Sequence, residues 1–549
     1  MSQDWWSSAV IYQIYPLSFF DSNDDGIGDL PGVSIKLDYV ASLGVDAIWL
    51  SPFFVSPLRD AGYDVADYRD VDPIFGTLAD FDGLLARAHG LGLKVLIDMV
   101  WAHTSDRHPW FLESSRSPSN PRSDWYVWAD ASADGTPPNN WLSVFGGPAW
   151  TWGASRRQYF LHHFLPSQPK LNVQNPAVLA ALFEVARFWL ERGVDGIRLD
   201  AVDFLAHDEA LRDNPPAADG RHPVKPYHMQ QHVHDQGGAR NQPIINAIRS
   251  FIDHYPGTMM VCEVGSETSD RSSLARAGAY LGEAGTGAHA TYSLSQMKSS
   301  GDAAAIRDGI REVENLLPSE GFFWAFSNHD VTRVVSRWGD ESEAAAKLYL
   351  ALLLSLRGGM FIYQGEELGL PEGEVPLDRL RDPYGRGLWP VFKGRDGCRT
   401  PMPWRGTAPN AGFSGTTSTW LPASARHAPL AVDLQAESPN STLNFCRRFL
   451  AWRKSRPAML HGRLVLQDAA GTVVAFERVS DAEHLLCVFN LERAPAWFRS
   501  PYDRLRPAFA FGASKGEQTI ELSPYGAFFA FLDRDTRSPR HTHAHVPDA

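Results

Sequence analysis

The chain has 549 residues, 44% hydrophobic and 21% charged, the composition of an ordinary soluble globular protein long enough for more than one domain. A formal net charge of -13 disfavours nucleic acid or an anionic membrane as partner, and no apolar run is long enough to span a bilayer. The four cysteines (Cys262, Cys398, Cys446, Cys487) are scattered, without metal-ligand spacing, and the start MSQDWWSSAV lacks a signal peptide's basic and apolar regions, which points to a reduced, cytoplasmic protein.

Strand-like and helix-like runs alternate from the start. VIYQIYP (10–16) precedes a helical KLDYVASLG (36–44), and VDAIWLSP (45–52) precedes a helical FDGLLARAHGLG (81–92). KVLIDMV (94–100) comes next, and after the helix VLAALFEVARFWLERG (178–193) follow GIRLDAV (196–202), TMMVCEV (258–264) and ATYSLS (290–295). FFWAFSNHD (322–330), the helix AAAKLYLALLLSLR (344–357) and GMFIYQG (359–365) complete the series. Eight strands separated by helices predict an α/β protein built on a (β/α)8 TIM barrel, with its active site at the C-terminal ends of the strands.

The barrel is read as residues 1–103 and 173–458. Residues 104–172, rich in Trp, Pro, Asn and Gly, form an inserted subdomain after the third strand. Residues 205–243 form a long polar loop over the cleft. From 459 to 535 short alternating runs (RLVLQ, TVVAFER, HLLCVFNL, GAFFAFLD) predict a C-terminal all-β domain. The tail 536–549 is read as disordered, with His541, His543 and His545 solvated in it.

Asp200, Glu263 and Asp330 each close an apolar strand-like run. A carboxylate there is costly to bury and needs a partner or a role. Three of them at one end of a barrel converge on one cleft, and paired carboxylates are what glycoside hydrolysis requires.

The ordered strings DMVWAH (98–103), GIRLDAV, VCEV (261–264) and FSNHD (326–330) resemble the signatures of the α-amylase family of glycoside hydrolases. DSNDDGIGDL (21–30), SQPKLN (167–172) and RDGCRTPMPW (395–404) resemble those of its α-glucosidase branch, and the likeness runs over nearly the whole chain. The resemblance implies Asp200 as nucleophile, Glu263 as general acid and base, and Asp330 as the carboxylate that grips sugar hydroxyls and favours the distorted transition state. Glu267, among polar residues past the strand end, is the lesser candidate for the acid. The resemblance further implies Arg198 beside Asp200, keeping it ionised, His103 and His329 as donors to the same sugar, and Tyr63 as the platform beneath it. Asp60 and Arg399 resemble the pair that holds the terminal 4-hydroxyl, which would make the enzyme exo-acting. Asp64 is read as structural support.

In DSNDDGIGDL, the side chains of Asp21, Asn23, Asp25 and Asp29 alternate as oxygen ligands. Ile27 offers a carbonyl and Gly26 a sharp turn, while Gly32 stands where a calcium loop has its bidentate Glu. A structural Ca²⁺ or Mg²⁺ is expected there, and no organic cofactor. Three departures from the family pattern stand out: Ala102 in place of Asn, Lys170 in place of Asp, and Cys262 in place of Gly. Ala201 follows the nucleophile; in this branch a small residue or Thr there goes with α-1,4 linkages and Val with α-1,6.

The resemblance therefore implies a retaining exo-α-glucosidase. It would act on short α-1,4-linked substrates such as maltose, and on sucrose, with transfer to hydroxyl acceptors, as a monomer or homodimer. Oligo-1,6-glucosidase, sucrose isomerase and trehalose-6-phosphate hydrolase are the rivals. A non-catalytic barrel relative is more distant, since such chains lose the carboxylates that this one keeps.

Overall fold

The computed structural model describes residues 4–217, 223–265, 271–317, 321–469 and 471–532. Glu267, the tail 536–549 and part of the 205–243 loop lie outside them. The eight expected strands are present: β1 (Val10–Ile14), β2 (Ala47–Leu50), β3 (Lys94–Met99), β4 (Gly196–Leu199), β5 (Met259–Val264), β6 (Ala290–Ser293), β7 (Phe322–Ala325) and β8 (Gly359–Tyr363). They pair in sequence order as a closed parallel barrel, with Val10 opposite Met360 where β1 meets β8. Each strand is followed by a helix, from Leu30–Leu43 after β1 to Thr442–Lys454 after β8.

Side chains two apart on a strand share a face, and this sorts the core. Ile11, Trp49, Leu96, Val261, Tyr292 and Phe361 fill the barrel interior. Their neighbours Tyr12, Ile48, Ile97 and Cys262 pack outwards on the helices. Following the inward face two residues further brings Leu96 to Asp98 and Val261 to Glu263. The same step carries Arg198 to Asp200. The rows of apolar side chains that plug the barrel thus end in charge at its upper rim. Cys262 faces the helix layer, so its departure from the family pattern adjusts packing behind Glu263.

Local signals set the helix bounds. The first barrel helix begins earlier than its apolar period suggests, because Asp29 caps it by accepting from the Gly32 amide, and it stops at Gly44 (φ 90°). Thr77 and Asp80 form a capping box on Leu78–Gly90.

The inserted residues are more ordered than their composition suggests. They carry a short helix, Pro109–Ser114, and a three-stranded antiparallel sheet of Trp128–Ala129, Gln158–Leu161 and Trp150–Gly153. The C-terminal domain has six strands, two beyond the four expected: Ala496–Arg499 and Leu505–Lys515. Arg478, fully buried, ties this domain to the barrel by donating to the carbonyls of Ser355 and Leu356 at 2.7 Å each.

Candidate active site

At the C-terminal end of the barrel lies a cavity of about 330 Å³. Asp60, Tyr63, His103, Asp200, Glu263 and Asp330 all line it. At its floor Arg198, 0% exposed, reaches three carboxylates: Asp98 at 2.7 Å, Asp200 at 2.6 Å and Glu263 at 2.9 Å. Its Nε and Nη2 donate to the Tyr292 hydroxyl at 3.1 and 2.8 Å, and its guanidinium lies 4.9 Å from the Trp49 ring centre.

Three carboxylates around one cation carry excess negative charge when all are ionised, and burial raises the cost of that charge. Burial pushes Asp200 up to about 7, against the pull of Arg198. It does the same to Glu263, also to about 7, and to Asp98, to about 6. Arg198 thus favours the ionised form of Asp200, in the expected direction, but desolvation is the larger influence. Burial disfavours ionising both members of the Asp200–Glu263 pair at once, which suits a site that needs one acid and one nucleophile.

Glu263 is oriented from two sides. Its Oε2 accepts from the Ala201 amide at 3.0 Å and its Oε1 from the Tyr292 hydroxyl at 3.2 Å. Asp98 is a functional residue that the sequence reading missed. It accepts from Tyr63 Oη at 3.0 Å and Trp49 Nε1 at 3.2 Å and so positions Tyr63.

Asp330 arrives differently. Strand β7 ends at Ala325, so Asp330 sits five residues beyond it in a turn, where its own amide donates to Asn328 Oδ1 at 2.9 Å. Burial opposes its ionisation, but His329, Arg395 and Arg399 together hold it well below the usual carboxylate range. His329 accepts from the Gln13 amide at Nδ1 (2.8 Å), which leaves its proton on Nε2, 3.4 Å from Asp330. Its ring stacks on Tyr63 with centroids 5.2 Å apart and planes 3° from parallel. His103 lies with Nε2 3.0 Å from the Tyr63 carbonyl. Burial pushes His329 down to about 3 and His103 to about 4, so both are neutral donors.

Asp60 and Arg399, read together as holders of the 4-hydroxyl, have different ion-pair partners. Asp60 bonds Arg395 at 2.7 Å, while Arg399 bonds Asp330 at 2.9 Å and the His329 carbonyl at 2.7 Å. Arg395 also reaches Asp330 at 3.1 Å and Asp382 at 2.8 Å, so it is the arginine that closes this end of the cavity. The two arginines stand four residues apart in one motif, and only the first has its head in the cavity wall. Asp64 supports the turn by accepting from the Asp60 and Arg59 amides, both at 3.0 Å. Beside Arg395, whose guanidinium lies 5.0 Å from the Phe145 ring centre, the cavity lining is apolar, with Val144, Phe145, Phe164, Tyr384 and Phe392, and Lys225 lies 4.4 Å from the centres of the last two rings. Ala102 packs with Val144, Ala201, Phe204 and Tyr227, an apolar setting without ion ligands.

The 21–30 loop is a turn knitted by its own acidic residues. Asp21 accepts from the amides of Asn23, Asp24 and Gly26. Asn23 accepts from Asp25, and Asp25 from Ile27. The donor set is all oxygen, which fits a hard cation. Among the described residues no group of three or more His, Cys, Asp or Glu side chains converges as a metal site.

The family model described as alpha amylase, catalytic domain, matches residues 13–462. A probable alpha-glucosidase of Rhizobium meliloti (strain 1021) is 49% identical over 542 residues, covering 96% of this chain and 97% of its own. An oligo-1,6-glucosidase of Heyndrickxia coagulans is 34% identical over 570 residues, covering 97% of this chain and 100% of its own. Among solved structures, the alpha-glucosyl transfer enzyme XgtA superposes with a TM-score of 0.92 at 48% identity, over 96% of this chain and 100% of that one. The trehalulose synthase MutB from Pseudomonas mesoacidophila MX-45 superposes at 0.87 with 30% identity, over 97% of this chain and 100% of that one.

Proposed function

This chain belongs to the α-amylase family of glycoside hydrolases, and on that premise we propose that it is a retaining exo-α-glucosidase that releases α-glucose from short α-1,4-linked substrates and transfers it to hydroxyl acceptors. The observation that carries the proposal is the single Arg198 guanidinium bridging Asp200 and Glu263 on the cavity floor. In this reading Asp200 attacks the anomeric carbon while Glu263 protonates the departing oxygen. Glu263 then takes the proton of the incoming water or alcohol. Asp330 grips the hydroxyls with the Nε2–H of His329, Tyr63 lies beneath the ring, and His103, whose Nε2 is tied to the Tyr63 carbonyl, completes the wall beside it. The cross-linked end wall of Asp60, Arg395, Asp330 and Asp382 supports an exo action, because its ion pairs would have to part to admit a chain extending past the terminal glucose. The apolar part of the lining suits an acceptor with a hydrophobic face.

One panel tests the proposal: maltose, isomaltose, sucrose, trehalose and p-nitrophenyl α-glucoside, with products resolved by chromatography and the first-released anomer read by NMR. Free α-glucose and transfer products support it. Release of β-glucose first, or isomerised sucrose as the main product, would overturn it.

Ala201 supplies the specificity prediction. It adjoins the nucleophile and packs with Ala102, Val144, Phe204 and Tyr227, so two added methyl groups would crowd an α-1,4-linked acceptor more than an α-1,6-linked one, which has an extra rotatable carbon. The wild type is expected to prefer maltose to isomaltose. Ala201→Val should move the ratio of kcat/KM values towards isomaltose by roughly 10–200-fold. Ala201 is also left-handed, with φ 44°, so a β-branched residue there costs about 1–3 kcal/mol of stability. The ratio between the sugars, rather than either rate alone, is therefore the measurement. An unmoved ratio argues against Ala201 as a linkage selector.

The 21–30 loop is assigned a structural Ca²⁺ or Mg²⁺, held by Asp21, Asn23, Asp25, Asp29 and the Ile27 carbonyl, with no part in the chemistry. Exhaustive chelation should lower the melting temperature by several degrees and leave activity at moderate temperature nearly intact. An unchanged melting temperature removes the ion from the account. The four buried, unpaired cysteines support a reducing, cytoplasmic location.

A further inference from the structure

Sequence places Lys170 near the rim of the inserted subdomain, where the family more often has Asp. In the structure it is fully buried, 0% exposed, between that subdomain and the turn that follows Asp200. Its Nζ donates to the Phe204 carbonyl at 2.6 Å and the Leu205 carbonyl at 2.9 Å, with the Leu171 carbonyl at 3.4 Å. Among the described residues no carboxylate forms an ion pair with it, and burial pushes the ammonium down to about 7. A lone cation is expensive to bury, so the carbonyls it holds are the evident reason for its presence.

Those carbonyls end an unusual turn. Ala201 adopts φ 44° and ψ 49° and opens a single 3-10 turn over Val202–Phe204. The four carbonyls that follow it are held in two pairs by two side chains. Asn241 Nδ2 donates to Val202 at 2.9 Å and Asp203 at 3.3 Å, and Lys170 takes the next two. The left-handed turn directs the Ala201 amide at Glu263 Oε2, 3.0 Å away. On its backbone side Lys170 pairs with His103, which lines the cavity. Lys170 thus ties the wall that presents His103 to the turn that orients Glu263.

We propose that Lys170 is a positioning residue for proton transfer: by holding the Phe204 and Leu205 carbonyls it fixes the turn whose Ala201 amide aims Glu263. The proposal rests on the glycosidase reading, in which Glu263 moves the proton. If it is right, losing Lys170 should matter most where the leaving group most needs a proton.

Lys170→Met keeps the chain's reach and removes every donor. Its kcat on maltose should fall about tenfold or more, with pre-steady-state release of p-nitrophenolate from p-nitrophenyl α-glucoside slowed less than about threefold, because an activated leaving group needs little acid. In a Glu263→Gln background the same change should add nothing to the aryl glucoside rate, since the group it aims is gone. Lys170→Gln, with two amide donors, is read the same way should the Met variant fail to fold, and its maltose-specific loss should be smaller. Equal losses on both substrates, no loss on either, or a loss that persists in full beside Glu263→Gln each overturns the positioning role while leaving the glycosidase reading intact. Wild-type protein that cleaves neither substrate overturns both.

Discussion

Asp200→Asn is expected to abolish turnover on every α-glucoside while the protein stays folded. The amide matches the carboxylate in shape but cannot attack the anomeric carbon, so no covalent glucosyl-enzyme forms. Losses of a nucleophile that acts in concert with a proton donor run to roughly 10⁴–10⁶-fold in kcat. The fold survives because Arg198 keeps Asp98 at 2.7 Å and Glu263 at 2.9 Å. Removing one anion from a floor with three carboxylates and one guanidinium relieves repulsion and leaves the cation paired. The melting temperature should hold within a few degrees. A second experiment separates a lost nucleophile from a distorted site. In Asp200→Ala, the space left by the carboxylate admits azide, which attacks p-nitrophenyl α-glucoside from the same face. The products are p-nitrophenolate and β-glucosyl azide. Retention of more than about 1% of wild-type kcat by Asp200→Asn, or an azide adduct of α configuration, removes Asp200 from the role of nucleophile.

The floor was legible in the sequence because its physics is local. A strand that runs apolar to its end and then presents an acid announces itself, as at Asp200 and Glu263. A weaker form of the same signal stands in KVLIDMV, where Asp98 lies two residues before the end of the run. Burial and a 2.7 Å bond to Arg198 show that Asp98 belongs with the other two. The pairing of Asp60 was not legible. Its partner lies 335 residues away, and RDGCRTPMPW offers two arginines of equal chemistry. Only the path of the chain between them decides that Arg395 meets Asp60 and Arg399 meets Asp330. The role of Lys170 was not legible for a similar reason: the carbonyls that justify its burial belong to a turn 34 residues further on. Short or half-exposed strands carried too little pattern. Trp128–Ala129 has two residues, and most of Leu505–Lys515 is exposed or half-buried, so neither shows a clean period of two.

Glu263→Gln is expected to divide substrates by leaving group. On maltose, whose departing alkoxide needs a proton, kcat should fall by roughly 10²–10⁴-fold. On p-nitrophenyl α-glucoside the first step should be nearly spared, because nitrophenolate leaves without one. The second step then loses its base, so the glucosyl-enzyme accumulates and p-nitrophenolate appears as a burst followed by a slow phase. Added azide, which needs no deprotonation, should restore the slow phase. The pH profile gives an independent sign. Burial raises Glu263 to about 7, so its proton leaves as pH rises through that value and the acid is lost on the alkaline side. Burial raises Asp200 likewise, so on the acid side the nucleophile gains a proton and attack stops. Wild-type kcat/KM on maltose should therefore be a narrow bell near neutrality, governed by two groups that titrate together through Arg198. In Glu263→Gln the residual rate on maltose should lose its alkaline limb and keep the acid limb, shifted to lower pH because the neighbouring negative charge is gone. Equal losses on maltose and on the aryl glucoside, or an alkaline limb that survives the substitution, would assign the acid to another residue.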